Sequence, residues 1–436
     1  MNYIISIIFL ALAFVAINKS VIFKTKAIPK LWINLAFGVK ILAAIAMLFI
    51  YSRSESIKSN ADIFRFYDDA QIIYSSLENG DISSYAKLMT GIDSDSEELG
   101  KYYSEINNFE HSNKITTTNN KFIIRYIAFL SIFSFGSYGG ILLITLFLSF
   151  TGLFWLFMFF YSKLRSLKWP LFFIIFFTPS IVFWSSGILK ESILLFAISL
   201  IINCGNYALQ GKKTIPRIFI ILISLIVIYQ IKSFALFVII PPMLAYLWLH
   251  FFPLQRTMIP YFMMVFIAIS FASESDKYLG VGVFDVLQQK QWQLTELAIA
   301  DNSGSLISPI LFQPTAVSIA TNSPIAIINT LFRPMLWEAN SLISIVAAME
   351  NTLFLILILL LIIFPRKDVE NPSLVWFSLV FSISFFVVIG LATPVLGALS
   401  RYRIPGLIFF LIAMIQLLDI QLIKEKLFSK NTNIIK

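Results

Sequence analysis

Cysteine and histidine are almost missing from this 436-residue sequence: Cys204 is alone inside an apolar run, and His111 and His250 stand far apart. One cysteine builds no disulfide framework and no thiolate metal site, and two distant histidines support no metal cage. Charge is scarce too, at 13% of residues, and there is no internal repeat or low-complexity tract. There is no Gly-rich phosphate loop and no Asp-x-Asp in a soluble domain, which argues against a cytoplasmic nucleotide-sugar enzyme. No basic residue precedes the first apolar run and no small-residue cleavage site follows it. That start reads as a retained span, not a signal peptide.

What is abundant is apolar surface. Hydrophobic residues make up 58% of the chain and aromatics 16%, with a mean hydropathy of +0.83. One soluble core could not bury that much, and runs of about 20 apolar residues read as membrane spans. They fall at about 3–18, 31–51, 138–162, 169–186, 189–209, 216–231, 233–251, 257–273, 340–364, 373–392 and 404–423. The expectation is an all-α polytopic protein of about eleven spans, forming a single integral membrane domain over residues 1–436.

The net charge of +9 does not point to nucleic acid, because the basic residues sit in short loops where they orient spans. Lys19, Lys24, Lys26 and Lys30 separate the first two runs, and Lys163, Arg165 and Lys168 follow the third. Lys212, Lys213 and Arg217, then Arg256, then Arg366 and Lys367, then Lys424, Lys426 and Lys430 fall on that same side by alternation. That side is expected to be cytoplasmic, and segments 52–137 and 274–339 to be extracytoplasmic loops. The first is acid-rich, with Asp62, Asp68, Asp69, Glu78, Asp81, Asp93, Asp95, Glu97 and Glu98. Its Phe122–Phe135 run could lie flat at the interface, and residues 110–121 are its flexible piece.

Four polar groups then share one membrane face. Ala61-Asp-Ile-Phe-Arg-Phe-Tyr-Asp-Asp-Ala70, read as a helix start, stacks Asp62, Phe66 and Ala70, with Arg65 and Asp69 beside them. Trp184-Ser-Ser-Gly-Ile-Leu-Lys-Glu191 sets Lys190 and Glu191 in a short turn between spans. Leu331-Phe-Arg-Pro-Met-Leu-Trp-Glu338 and Ser400-Arg-Tyr-Arg-Ile-Pro405 contribute Arg333, Glu338, Arg401 and Arg403. Lys190, Arg333, Arg401 and Arg403 suit a lipid phosphate or diphosphate, since arginine forks match phosphate oxygens and lysine adds a point charge. Each group also has a plainer reading. Arginines at span ends snorkel to head groups, Asp68 and Asp69 are solvated loop acids, Lys190 and Glu191 form an internal ion pair, and Glu350 pairs with a base inside the bundle. Tyr67, Trp184, Trp337 and Tyr402 either stack on sugars or anchor the chain at the interface.

Asp62-x-x-Arg65-Phe66-x-x-x-Ala70 in a first outer loop resembles the acidic loop motif of the GT-C superfamily, polytopic glycosyltransferases that use polyprenyl-phosphate sugars. Arg401-Tyr402-Arg403-Ile404-Pro405 is similar to an arginine-rich segment of that family's protein mannosyltransferase and aminoarabinose transferase branch. The stretch from Ser323-Pro324 through Phe332-Arg333-Pro334 to Trp337-Glu338 resembles membrane proteins of bacterial envelope polysaccharide loci. The resemblance covers topology and about four short motifs. It implies inverting sugar transfer at the outer face of a bacterial cytoplasmic (inner) membrane, from a lipid-linked sugar donor to a glycan or lipid acceptor. Asp62 would be the catalytic base or acceptor-orienting group, the four cations would hold the donor phosphate, and Arg65, Tyr67, Asp69, Glu191, Trp337, Glu338 and Tyr402 would face substrate. No cofactor is required by this reading, although Asp62 and Glu191 are compatible with a divalent metal. Two departures stand out: two spans precede the acidic loop where the family has one, and no second acid follows Asp62, leaving Asp68 or Asp69 as substitutes. A repeat-unit polymerase of O-antigen or exopolysaccharide shares the same substrate and arginines. A polysaccharide or lipid-linked oligosaccharide transporter is the alternative of another class, and would show inverted repeats or broken helices with charges near the midplane.

Overall fold

A computed structural model describes residues 2–53, 55–92, 96–106, 120–212 and 214–428. Every element among them is helical apart from two isolated bridges, Leu306 with Val395 and Pro365 with Leu418. Most of the expected flexible piece at 110–121, with His111, lies outside the described residues, as do Asp93, Asp95, Lys213 and Lys430.

Among the described residues seven helices are long and apolar enough to cross a membrane: Lys30–Tyr51, Tyr138–Lys163, Lys190–Leu209, Thr214–Lys232, Phe234–Phe251, Leu342–Ile363 and Pro372–Ala392. An eighth span arises if Leu396–Tyr402 and Ile404–Leu417, bent by 62° at Arg403, count as one. The chain is therefore an all-helical, multi-pass membrane protein, with fewer full-length helices than the eleven apolar runs. Two of the remaining runs form shorter helices, Tyr3–Lys19 and Met258–Ser273. The run at 169–186 divides into Lys168–Phe177 and Pro179–Trp184, because a residue before proline is pushed out of the α region; Thr178 sits at ψ 121. The last run stops at Leu417 and a new helix starts at Ile420, with Asp419 accepting from the Leu422 N–H at 2.9 Å.

The chain divides into two compact units, Met1–Phe159 with Val182–Ser233, and Phe160–Ile181 with Phe234–Lys436. In the first, the Asp62–Glu78 helix packs on Asn120–Ser134. Ile63, Phe66, Ala70 and Ile73 lie buried on one side at helical spacing, and Ile123, Ile124, Ile127 and Ala128 on the other. Polar ties fix this pair: Tyr67 donates to Gly136 O at 2.7 Å and Gln71 to Ser131 Oγ at 3.1 Å. The expected interfacial run is thus a packed helix that leaves Phe129 and Phe133 exposed on its other face. Lys190–Leu209 and Thr214–Lys232 form a hairpin whose turn uses Gly211 at φ +72.

In the second unit, Pro372–Ala392 is the central helix, meeting Phe234–Phe251, Val283–Ala300, Ala316–Phe332 and Ile404–Leu417. Its contact with Ala316–Phe332 is close enough that a Cβ on Gly390 would run into the Ala326 carbonyl. Phenylalanines fill the other side: the Phe381 and Phe409 rings meet edge-on with centroids 4.7 Å apart.

Candidate functional site

The twelve residues singled out from the sequence fall six to each unit. Asp62, Arg65, Tyr67, Asp69, Lys190 and Glu191 belong to the first, and Arg333, Trp337, Glu338, Arg401, Tyr402 and Arg403 to the second.

The Asp62–Glu78 helix begins where the acidic motif implied. Ala61 is its N-cap, in extended conformation, so the Asp62 carboxylate lies in the first turn, where the helix dipole favours an anion. Asp62, Arg65 and Tyr67 are half-buried. Burial raises the Tyr67 phenol above its ordinary range, with Asp68 and Glu78 adding to the effect. Asp69, read as solvated, is 2% exposed. Three residues after Phe66 and four before Ile73, it falls on the inward stripe of an amphipathic helix, whereas Asp68 falls outside that stripe and is exposed.

The Trp184–Glu191 segment meets the start of this helix. The position a Cβ would take on Gly187 is 3.3 Å from Ile63 Cγ2 and 2.6 Å from Met47 Sδ, so an added methyl would have to displace Met47. Lys190 opens the Lys190–Leu209 helix, donates to Asn120 Oδ1 at 2.7 Å, and holds its ammonium 5.7 Å from the centre of the Phe66 ring. Glu191, expected to face substrate, is fully buried and accepts from Lys232 Nζ at 2.9 Å. Lys40 donates to both the carbonyl and the hydroxyl of Ser185, each at 2.5 Å, and is 3% exposed. Sequence reasoning passed over Lys40 and Lys232. The first lies inside the apolar run 31–51 and the second in the one-residue gap between 216–231 and 233–251. An ionisable residue within otherwise apolar sequence is the signal that could have found both.

In the second unit the cations are engaged differently. Arg403, at the break between Leu396–Tyr402 and Ile404–Leu417, is fully buried. Its Nη1 donates to Thr330 O and Leu331 O, both at 3.0 Å, and its Nη2 donates to Asn351 Oδ1 at 2.7 Å. Glu350 lies 3.8 Å from Nη2 and itself accepts from Ser180 N at 2.7 Å and Ser180 Oγ at 2.5 Å. Asn351 passes the network on to Pro334 O at 2.9 Å. Both terminal nitrogens of this guanidinium thus donate to protein acceptors, and Nε has no hydrogen-bond partner among the described residues. Arg333 pairs with Glu338 five residues on, across the Arg333–Pro334 cis bond. The Arg333 donors and the Met335 N–H hold the Glu338 carboxyl below the ordinary glutamate range. Arg401 is half-buried, with its guanidinium 5.1 Å from the centre of the Tyr402 ring, and Trp337 is 82% exposed. Buried charge is thus not confined to Glu350, as the sequence suggested: Lys40, Lys232 and Arg403 are enclosed as well.

Among the described residues no three His, Cys, Asp or Glu side chains gather as metal ligands. Compared with protein-family models, with curated proteins and with solved structures, the chain has no significant match.

Proposed function

We propose that this chain is a membrane glycosyltransferase of GT-C type, moving a sugar from a polyprenyl-phosphate-linked donor to an envelope glycan or lipid acceptor on the extracytoplasmic face of a bacterial inner membrane. What supports the reading is the apposition of the Ser185–Lys190 turn and the helix that starts at Asp62, seen in the Gly187–Ile63 contact and in Lys190 over Phe66. An acid at a helix start and a cation from a separate segment are the two charges that sugar transfer requires. Asp62 takes the acceptor hydroxyl proton, or orients that hydroxyl, while the new bond forms at the anomeric carbon. The bond from that carbon to the phosphate oxygen breaks as its electrons pass to the lipid phosphate. Lys190 stabilises the charge that develops there. Arg65 and Tyr67, half-buried on the same helix, are its substrate-facing candidates.

A lipid-linked oligosaccharide transporter is the second reading, and the 62° helix break beside a buried Glu350–Arg403 pair favours it. Purified chain in vesicles, given radiolabelled polyprenyl-phosphate sugar and acceptor, separates the possibilities. Glycosyl transfer adds single sugars to the acceptor. A ladder of repeat units identifies a polymerase, and label that crosses the bilayer without forming a new bond identifies a transporter.

A further inference from the structure

A charge inside a membrane helix is expensive, and such residues persist where they meet a partner that needs them. Lys40 and Lys232 stand in different spans, Lys30–Tyr51 and Thr214–Lys232, and are 3% and 7% exposed. Both reach one short stretch of chain. Lys40 grips its first residue through the Ser185 carbonyl and hydroxyl, and Lys232 grips its last through the Glu191 carboxylate. The flanking helices tie the turn down as well. Ser192 Oγ donates to Ser185 O at 3.1 Å and to Gly187 O at 2.9 Å, and Ser186 Oγ donates to Val182 O at 2.6 Å. Met47, seven residues beyond Lys40 on the same buried stripe, closes over Gly187. The Glu191–Lys232 pair also suits both helix dipoles, since Glu191 lies in the first turn of one helix and Lys232 in the last turn of the other. What the fixed turn delivers is Lys190, the residue just before Glu191, onto Phe66 and Asn120.

We propose that Lys40 and Lys232 are positioning residues, which clamp the two ends of the Ser185–Glu191 turn and thereby hold Lys190 against the helix that carries Asp62. Glu191 then serves the clamp and does not contact substrate. The assignment of a transfer role to Lys190 rests on the proposed function; the clamp itself is a statement of geometry and is tested as one. In full-length protein in membranes, with Cys204→Ser as background, Asn120→Cys and Lys190→Cys are bridged by a short bis-methanethiosulfonate. Cross-linking is expected to be efficient, to fall several-fold when Lys40→Met or Lys232→Met is added, and to persist with Lys232→Arg, which keeps the cation. Unchanged cross-linking in both methionine variants overturns the clamp, whatever the activity. Where a methionine variant does not accumulate, Glu191→Gln, which keeps the side-chain shape, is expected to lower cross-linking as Lys232→Met does. Equal yields from Glu191→Gln and its parent overturn the clamp too. In the transfer assay, with Lys190 intact, Lys40→Met is expected to raise the donor KM more than it lowers kcat. Reduced cross-linking with unaltered transfer kinetics keeps the clamp and removes Lys190 from the transfer site.

Discussion

Lys190 and Arg403 each stand where an apolar helix begins, and the two regions use these buried cations to join different elements. Arg403 is wrapped by two carbonyls at the end of the Ala316–Phe332 helix, by Asn351 and by Glu350, so its charge is consumed in joining helices. Lys190 is carried on a tied turn to the rim of a helix whose first-turn acid and neighbouring Arg65 are half-buried. Both cations are enclosed, Lys190 at 9% and Arg403 at 0% exposed. They differ in what they join: Arg403 ties its own helix to Ala316–Phe332 and Leu342–Ile363, whereas Lys190 ties a turn to Asn120 and the Phe66 ring.

The comparison breaks first at Arg403. Removing one partner of a buried ionic network leaves the other charged and unsatisfied, at a cost of about 3–5 kcal/mol. Arg403→Met is therefore expected to reduce the amount of folded protein sharply, as read by immunoblot and by thermal unfolding in detergent. Arg403→Met protein that accumulates and melts normally but is inactive would move Arg403 from joining helices to the donor site.

The smaller test is in the same unit. The Arg333–Glu338 side chains are 26% and 21% exposed, so the pair contributes at most about 1 kcal/mol. Because the Glu338 carboxyl is held below its usual value near 4.5, this contribution is fully present above that pH and is lost as pH falls through the depressed folded value. Thermal stability of wild type should exceed that of Glu338→Gln at neutral pH, with the gap closing as the pH is lowered from 4.5 through the depressed folded value. A gap that persists at acid pH would mean that packing, and not ionisation, sets the difference.

Hydropathy carried the fold class because membrane helices must satisfy their own backbone and therefore appear as long apolar runs. Seven of those runs are helices of full spanning length. Chain chemistry interrupts hydropathy at Thr178–Pro179 and at Asp419, where an apolar run does not form one continuous helix. The Asp62 helix start was legible, since an acid after Ala61 opens an amphipathic pattern, and that same pattern should have placed Asp69 inside. Lys40 and Lys232 were visible as letters, but their role was not. Only the fold reveals that two lysines almost 200 positions apart converge on one turn.

The account turns on Asp62, and its most direct test pairs activity with abundance. Asp62→Asn removes the charge at nearly constant shape, so transfer per molecule of protein should fall on the order of 10²–10⁴, the range for a positioned acid or base. Protein level and melting should stay at wild type, unlike those of Arg403→Met, and Asp68→Asn should transfer nearly normally. Wild-type glycan made by Asp62→Asn at low expression would contradict the account.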